Sequence, residues 1–263
     1  MKNILQSFSL SGKNALIVCP ENPYGVQIAA GLFSAGAKLW LAGPCEAALK
    51  EAQQALAAEN AAVEGFFVYD HCTKEQTLAM AESAKAAMGS IDILVENSLN
   101  TTVTGWDQDF ATIHAQLQKT HLGTMLTVQA IGTVMGQQKQ GAVLLVTDYG
   151  ALVGYDIQNY AESTGFDGDF SLVKGFIKGG AVNYARQSAG FLGENGCRCN
   201  AIAYAPPAGS IDEGLQAAIT RHSHLKRPIK PEEIASAAVF LCSDAAGFVT
   251  GITLAVDGGY TAK

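Results

Sequence analysis

The sequence predicts a doubly wound α/β fold, a seven-stranded parallel sheet with helices on both faces, and three observations carry that expectation. Seven short apolar segments recur along the 263 residues, at 14–18, 38–42, 63–69, 92–96, 142–147, 197–202 and 252–256. Alanine-rich stretches with apolar residues near a 3.6 period run between them, as at 26–35, 73–88 and 181–192. The 28 glycines, more than the ~7% of an average chain, suit the many tight turns such a layout needs. Strands separated by long helices are joined by βαβ crossovers, and right-handed crossovers leave a doubly wound sheet as the leading topology.

The segments 14–18, 38–42 and 92–96 are near-continuous apolar runs, as expected of strands covered on both faces. In the sixth, Cys197 and Cys199 alternate with polar neighbours, so both should face one side. A long helix from about 107 to 135 follows the fourth strand, and the sheet need not cover all of its surface. Two segments break the rhythm. Residues 149–169, with four glycines, read as an inserted excursion after the fifth strand, and 204–230 as a substrate-side loop after the sixth. Long segments at strand C-termini are where such sheets bind ligands. No repeat, low-complexity tract or linker divides the chain, so 1–263 reads as one domain.

Charged residues make up 16% of the chain, below the usual ~25%, which suggests a surface partly covered by partner chains. The net charge of −7 argues against a nucleic-acid partner, which would need clustered Lys and Arg. No apolar run approaches the ~18 residues that span a bilayer, and the first ten residues lack a leader pattern. These features predict a cytoplasmic protein with no membrane partner. Cys19, Cys45, Cys72, Cys197, Cys199 and Cys242 include no CxxC pair and no histidines at zinc spacing. They read as reduced thiols, and no metal site is expected.

Several segments then become specific. Ser11-Gly-Lys-Asn-Ala-Leu-Ile17, Ile91-Asp-Ile-Leu-Val95, Lys178-Gly-Gly-Ala-Val182 and Gly196-Cys-Arg-Cys-Asn-Ala-Ile-Ala203 resemble successive motifs of the short-chain dehydrogenase/reductase family. Pro231-Glu-Glu-Ile-Ala235 and Val249-Thr-Gly-Ile-Thr-Leu-Ala-Val-Asp-Gly-Gly-Tyr260 resemble its C-terminal signature closely. The resemblance covers nearly the whole chain and implies a Rossmann-like sheet with a nicotinamide dinucleotide at the first crossover.

Where that family keeps its chemistry, this sequence departs. The glycine-rich turn appears as Val18-Cys-Pro-Glu-Asn-Pro-Tyr-Gly25, with Cys19 and Pro23 at two glycine positions and only Gly25 in register. Pro20 and Pro23 lack an N–H, and Glu21 brings negative charge where a diphosphate would lie. The second strand ends in Ala42-Gly-Pro-Cys45, without the acid that holds a ribose or the arginine that holds its phosphate. Asp70 matches the family's adenine-contacting acid and reads as vestigial. The turn after the fourth strand is Glu96-Asn-Ser-Leu99, with leucine where the family has glycine.

The resemblance also implies a catalytic Tyr, Lys, Ser and Asn. Their positions carry Lys174, Lys178, Asp148 and Thr120, so only the lysine remains. Without a phenol, no group of matched type exchanges the hydroxyl proton. Tyr155 and Tyr160 could reach the site from the excursion, although loop tyrosines more often pack on a surface or partner. Lys174 and Lys178 share a helix face at i,i+4, and Asp148 is expected to neutralise Lys178, since a buried lysine left alone is costly. Arg221, His222, His224, Lys226 and Arg227 form a small basic cluster, read as a solvated loop or as a contact for an anionic group.

These residues predict a pseudoenzyme that binds no cofactor itself and pairs with a catalytic paralogue in a mixed dimer or tetramer, NAD sitting on the partner. The resemblance places the contacts on the helices at 107–135 and 171–192 and on the last strand. Two alternatives stay open: a divergent enzyme with non-redox chemistry on Asp148, Lys174 or Lys178, and a small-molecule-binding or regulatory protein.

Overall fold

Residues 3–161 and 170–262 are described by the computed structural model. Seven strands, β1 (Asn14–Val18), β2 (Lys38–Gly43), β3 (Val63–Val68), β4 (Ile93–Glu96), β5 (Gly141–Asp148), β6 (Cys197–Tyr204) and β7 (Thr253–Val256), form one sheet. Their order is β3-β2-β1-β4-β5-β6-β7, and every pairing is parallel. The order reverses between β1 and β4, so the C-terminal ends of those strands define the ligand crevice of the fold.

Strand alternation splits the core in two. Ala15 and Ile17 of β1 with Leu144 and Val146 of β5 face one layer, made by α1 (Gly25–Ser34), α2 (Glu46–Ala58) and α9 (Pro231–Cys242). Leu16, Val18, Val143 and Leu145 face the other, made by α3 (Lys74–Met88), α5 (Gly123–Gln138) and α7 (Leu172–Gly193). Each fully buried Leu or Ile here contributes roughly 1.5–3 kcal/mol. Cys197 and Cys199 are both buried in the second layer, and all six thiols are free.

The helix expected from 107 to 135 starts later. Asp109 caps α4 (Phe110–Leu117) by accepting from the Thr112 N–H at 3.0 Å. A single π turn, Gln118–Leu122, joins α4 to α5. Helix α7 begins nine residues ahead of the periodic stretch at 181–192, because Ser171 accepts from the Lys174 N–H and starts it. Gly175, Gly179 and Gly180 lower its intrinsic propensity and hide it from periodicity.

Both excursions contain helical structure. The 204–230 segment is not all loop: it holds α8 (Glu213–His222), capped by Asp212 and burying Leu215, Ala218 and Ile219 at helical spacing. Within 149–169 lie a 3-10 turn at Tyr149–Ala151 and the short α6 (Ile157–Ala161); residues 162–169 lie outside the described residues. Tyr149, Tyr160 and Phe170 pack with Leu215 and Ile219 in a satellite core, so Tyr160 is interior rather than a surface tyrosine. Among the described residues, no helix is long and apolar enough to cross a membrane.

Candidate functional site

At the first crossover two residues other than glycine take left-handed backbone. Cys19 and Tyr24 hold φ of 51° and 63°, the left-handed region that glycine enters without cost. Tyr24 is kept there by its hydroxyl, which donates to the Ala205 carbonyl at 3.2 Å, and by its ring, set edge-on to Tyr204 at 4.9 Å. A Cβ on Gly25 would overlap the Pro20 carbonyl, so this glycine is required for the tightness of the turn itself.

The turn's hydrogen bonds point inward. The Asn22 and Gly25 N–H groups donate to the Cys19 and Asn22 carbonyls, and Pro20 and Pro23 have no N–H to offer. Glu21 and Tyr24 alone of residues 20–25 keep N–H groups not spent in that way. Asn97, buried in the turn after β4, donates its amide to the carbonyls of Cys19, Asn22 and Pro23, each at 3.3 Å, and so ties the two turns together. Leu99 is buried against Ile177 and Ala181 of α7, filling the space beside the backbone that a glycine would leave open. Asp70 lies after β3, where its carboxylate accepts from the Cys72 N–H and the Thr73 hydroxyl. Those bonds cap a turn and hold its carboxyl below the usual range.

The corner at the end of β5 is organised around charge. Asp148 ends β5, while Lys174 and Lys178 lie one turn apart on α7. The Lys178 and Lys174 Nζ atoms stand 3.7 and 3.8 Å from Asp148 Oδ2. Asp148 Oδ1 accepts from the Gly150 N–H at 2.9 Å and from the Tyr155 hydroxyl at 2.6 Å. A side chain on Gly150 would collide with the Tyr155 ring, so this glycine lets the phenol reach the carboxylate. Lys178 is 1% exposed. Burial pushes its ammonium down to about 8, with Asp148 pulling it back up and Lys174 depressing it further. Burial, and after it the Asp148 charge, drives the Tyr155 phenol well above its ordinary value.

Of the other predicted positions, Thr120 is fully buried in the π turn and spends its hydroxyl on the Gln116 carbonyl at 2.8 Å. Tyr160 does not reach Asp148 in the way Tyr155 does; it stacks edge-on to Tyr155 and Phe170. The basic cluster is separate. Arg227 forms a two-pronged ion pair with Glu233, and His224 lines a cavity of about 400 Å³ beside Asp257 and Gly258. A second cavity, of about 370 Å³, runs from Pro23 past Thr101 and Tyr204 to Asp148 and Lys174. No cluster of metal ligands occurs among the described residues.

Sequence reasoning missed Glu96 as a site feature. It ends β4 with no exposed surface, and Oε1 accepts from the N–H and the hydroxyl of Ser98. Burial raises its carboxyl to about 7. The available signal was an acid closing the apolar run Ile93-Leu-Val-Glu96.

Comparison with known proteins agrees with this architecture. A family profile described as enoyl-(acyl carrier protein) reductase matches residues 21–261. The chain is 30% identical to D-threitol dehydrogenase of Mycolicibacterium smegmatis, over 97% of this chain and 95% of that protein. It is 28% identical to 7alpha-hydroxysteroid dehydrogenase of Escherichia coli, over 95% and 94%. Among solved structures, a short-chain type dehydrogenase/reductase from Mycobacterium marinum superposes with a TM-score of 0.84 at 22% identity, covering 99% of this chain and 100% of that one. A 7 alpha-hydroxysteroid dehydrogenase complexed with NADH and 7-oxo glycochenodeoxycholic acid gives 0.79 at 24% identity, with 98% of each chain covered. With its sheet order, its C-terminal signature and a match across nearly its whole length, this chain belongs to the short-chain dehydrogenase/reductase family.

Proposed function

We propose that this chain is a non-catalytic subunit of a hetero-oligomeric, NAD-dependent short-chain alcohol dehydrogenase, and that the active site of the complex lies on a partner of the same family. The observation that carries this reading is the corner at Asp148. A carboxylate stands where the family orients substrate, a lysine stands where it has its acid/base tyrosine, and the Tyr155 phenol is locked onto the carboxylate. A phenol whose pKa is raised gives up its proton less readily, the reverse of what alcohol oxidation asks of a general base. The first crossover supports the same reading. Two prolines, inward-turned N–H groups and Glu21 do not fit a dinucleotide diphosphate. The named relatives are dehydrogenases, so the loss would be particular to this chain.

The partner surface would be the outer face of α4, α5 and α7. Phe110, Met125, Phe176 and Phe191 stand exposed there, and Phe248 is fully exposed near β7. In its pattern of losses the chain resembles the inactive subunit of the two-subunit 2-[hydroxy(phenyl)methyl]succinyl-CoA dehydrogenase of anaerobic toluene degradation. A hydroxyacyl-CoA is accordingly the substrate class we assign to the complex.

NADH titrated into the purified chain should show no saturable binding, and co-expression with an intact family member should yield a mixed oligomer with dehydrogenase activity. Tight NADH binding by the chain alone would overturn the proposal. A second reading has one observation in its favour: Lys178, buried and pushed down to about 8, has the character of an amine base or nucleophile. Cofactor-independent turnover by the isolated chain, abolished in Lys178→Ala, would put that reading first.

A further inference from the structure

Among the described residues, the corner around Asp148 holds more positive charge than it neutralises. Two ammonium groups share one carboxylate oxygen at 3.7 and 3.8 Å, both beyond hydrogen-bonding distance. The other oxygen is already taken by Tyr155 and Gly150. Each ammonium carries three N–H donors, and the Asp148 carboxylate offers neither of them an acceptor in reach. Lys178 sits 1% exposed behind the pair, while Lys174 is partly exposed and lines the 370 Å³ cavity. Asp148 and Lys174 are the charged side chains of that lining among the described residues. The N-terminus of α7, at Ser171, opens on the same space and adds positive potential. Hydroxyls of Thr101, Thr102 and Ser210 and apolar faces of Tyr204, Ile211 and Leu215 complete the walls.

Counting formal charges among the described residues, two lysines against one aspartate leave one positive charge facing the pocket. A monoanion balances it, whereas a dianion would leave the corner with a net negative charge. We propose that this cleft binds the carboxylate of a small organic acid, with the anionic end on Lys174 Nζ and the apolar body against Tyr204, Ile211 and Leu215. The proposal rests on the charge count and the cavity rather than on the subunit reading.

The experiment uses the full-length purified chain, without dinucleotide or partner, and compares hexanoate with hexanamide by calorimetry and thermal shift. Hexanoate should bind saturably and raise Tm, and hexanamide should not. Lys174→Met, which keeps the apolar stem, should weaken hexanoate binding by about ten-fold or more, and Lys174→Arg should restore most of it. Ser210→Asp, at an exposed position on the rim, should weaken binding as well, so the proposal stays open to test if the Met variant folds poorly. Absence of saturable hexanoate binding, equal binding of the amide, or wild-type affinity in Lys174→Met and Ser210→Asp would each overturn it. None of these outcomes bears on NADH binding or on activity with a partner, so this proposal and the subunit reading fail separately.

Discussion

Two carboxylates are buried at the C-terminal ends of neighbouring strands, Glu96 on β4 and Asp148 on β5, and they are held in opposite ways. Asp148 faces two ammonium groups and accepts from a phenol and a backbone N–H. Glu96 accepts from Ser98, whose hydroxyl also meets that of Thr124 at 3.0 Å, and Glu96 Oε2 has no hydrogen-bond partner. No cation among the described residues offsets it, and its pKa rises to about 7 through burial. Equal burial therefore has unequal consequences. The charge on Asp148 supports the fold, whereas the charge on Glu96 works against it.

Removing one charge at a time should separate the two regions. The largest effect is expected from Asp148→Asn, which leaves Lys178 buried beside Lys174 with no counter-charge. We expect a loss of about 3 kcal/mol at pH 7 in urea unfolding. The deficit should shrink as pH rises toward 8, because Lys178 without Asp148 sheds its proton below the value of about 8 it has in the parent chain. A midpoint equal to that of the parent chain would show that the corner is not held by charge.

Next is Glu96→Gln, expected to stabilise by about 1–2 kcal/mol at pH 8. The sign follows from the raised pKa. Between pH 4.5 and about 7 the folded chain keeps the Glu96 proton and the unfolded chain does not, so the parent loses stability as pH climbs through that window. The advantage of the variant should therefore fade as pH falls toward 4.5. A difference that is flat from pH 4.5 to 8 would place the effect elsewhere. The smallest change is Tyr155→Phe, which removes one hydrogen bond to a carboxylate and should cost about 1.5 kcal/mol. It should leave NADH binding as it was, and a gain or loss of dinucleotide affinity would give the phenol a role beyond holding Asp148.

Much of this was legible in the residues alone. Strand β1 falls at 14–18 as expected, and the other strands shift by a residue or two at their ends, because alternating burial on two faces leaves a strong apolar signal. The pairing of Asp148 with Lys178 was also anticipated, since a buried ammonium needs a counter-charge. Helix α8 was not anticipated, because its buried face is the short run Leu215, Ala218, Ile219 inside a polar segment. The hold of Tyr155 on Asp148 was left open for a different reason. A contact across seven residues depends on the path of the turn and on the absence of a Cβ at Gly150, which spacing does not encode.

Composition and pattern by themselves pointed to a parallel sheet between two helical layers, and the resemblance pointed to Thr120, Asp148, Lys174 and Lys178 as the positions to inspect, since these readings depend on local period and residue identity. Tertiary structure alone decided how the altered residues live together. It set Asn97 across three carbonyls of the first turn, left Glu96 without a cation among the described residues, and gave two lysines one carboxylate to share. Electrostatic balance at such a corner is a matter of ångströms and burial between distant segments, and those distances exist only once the chain has folded.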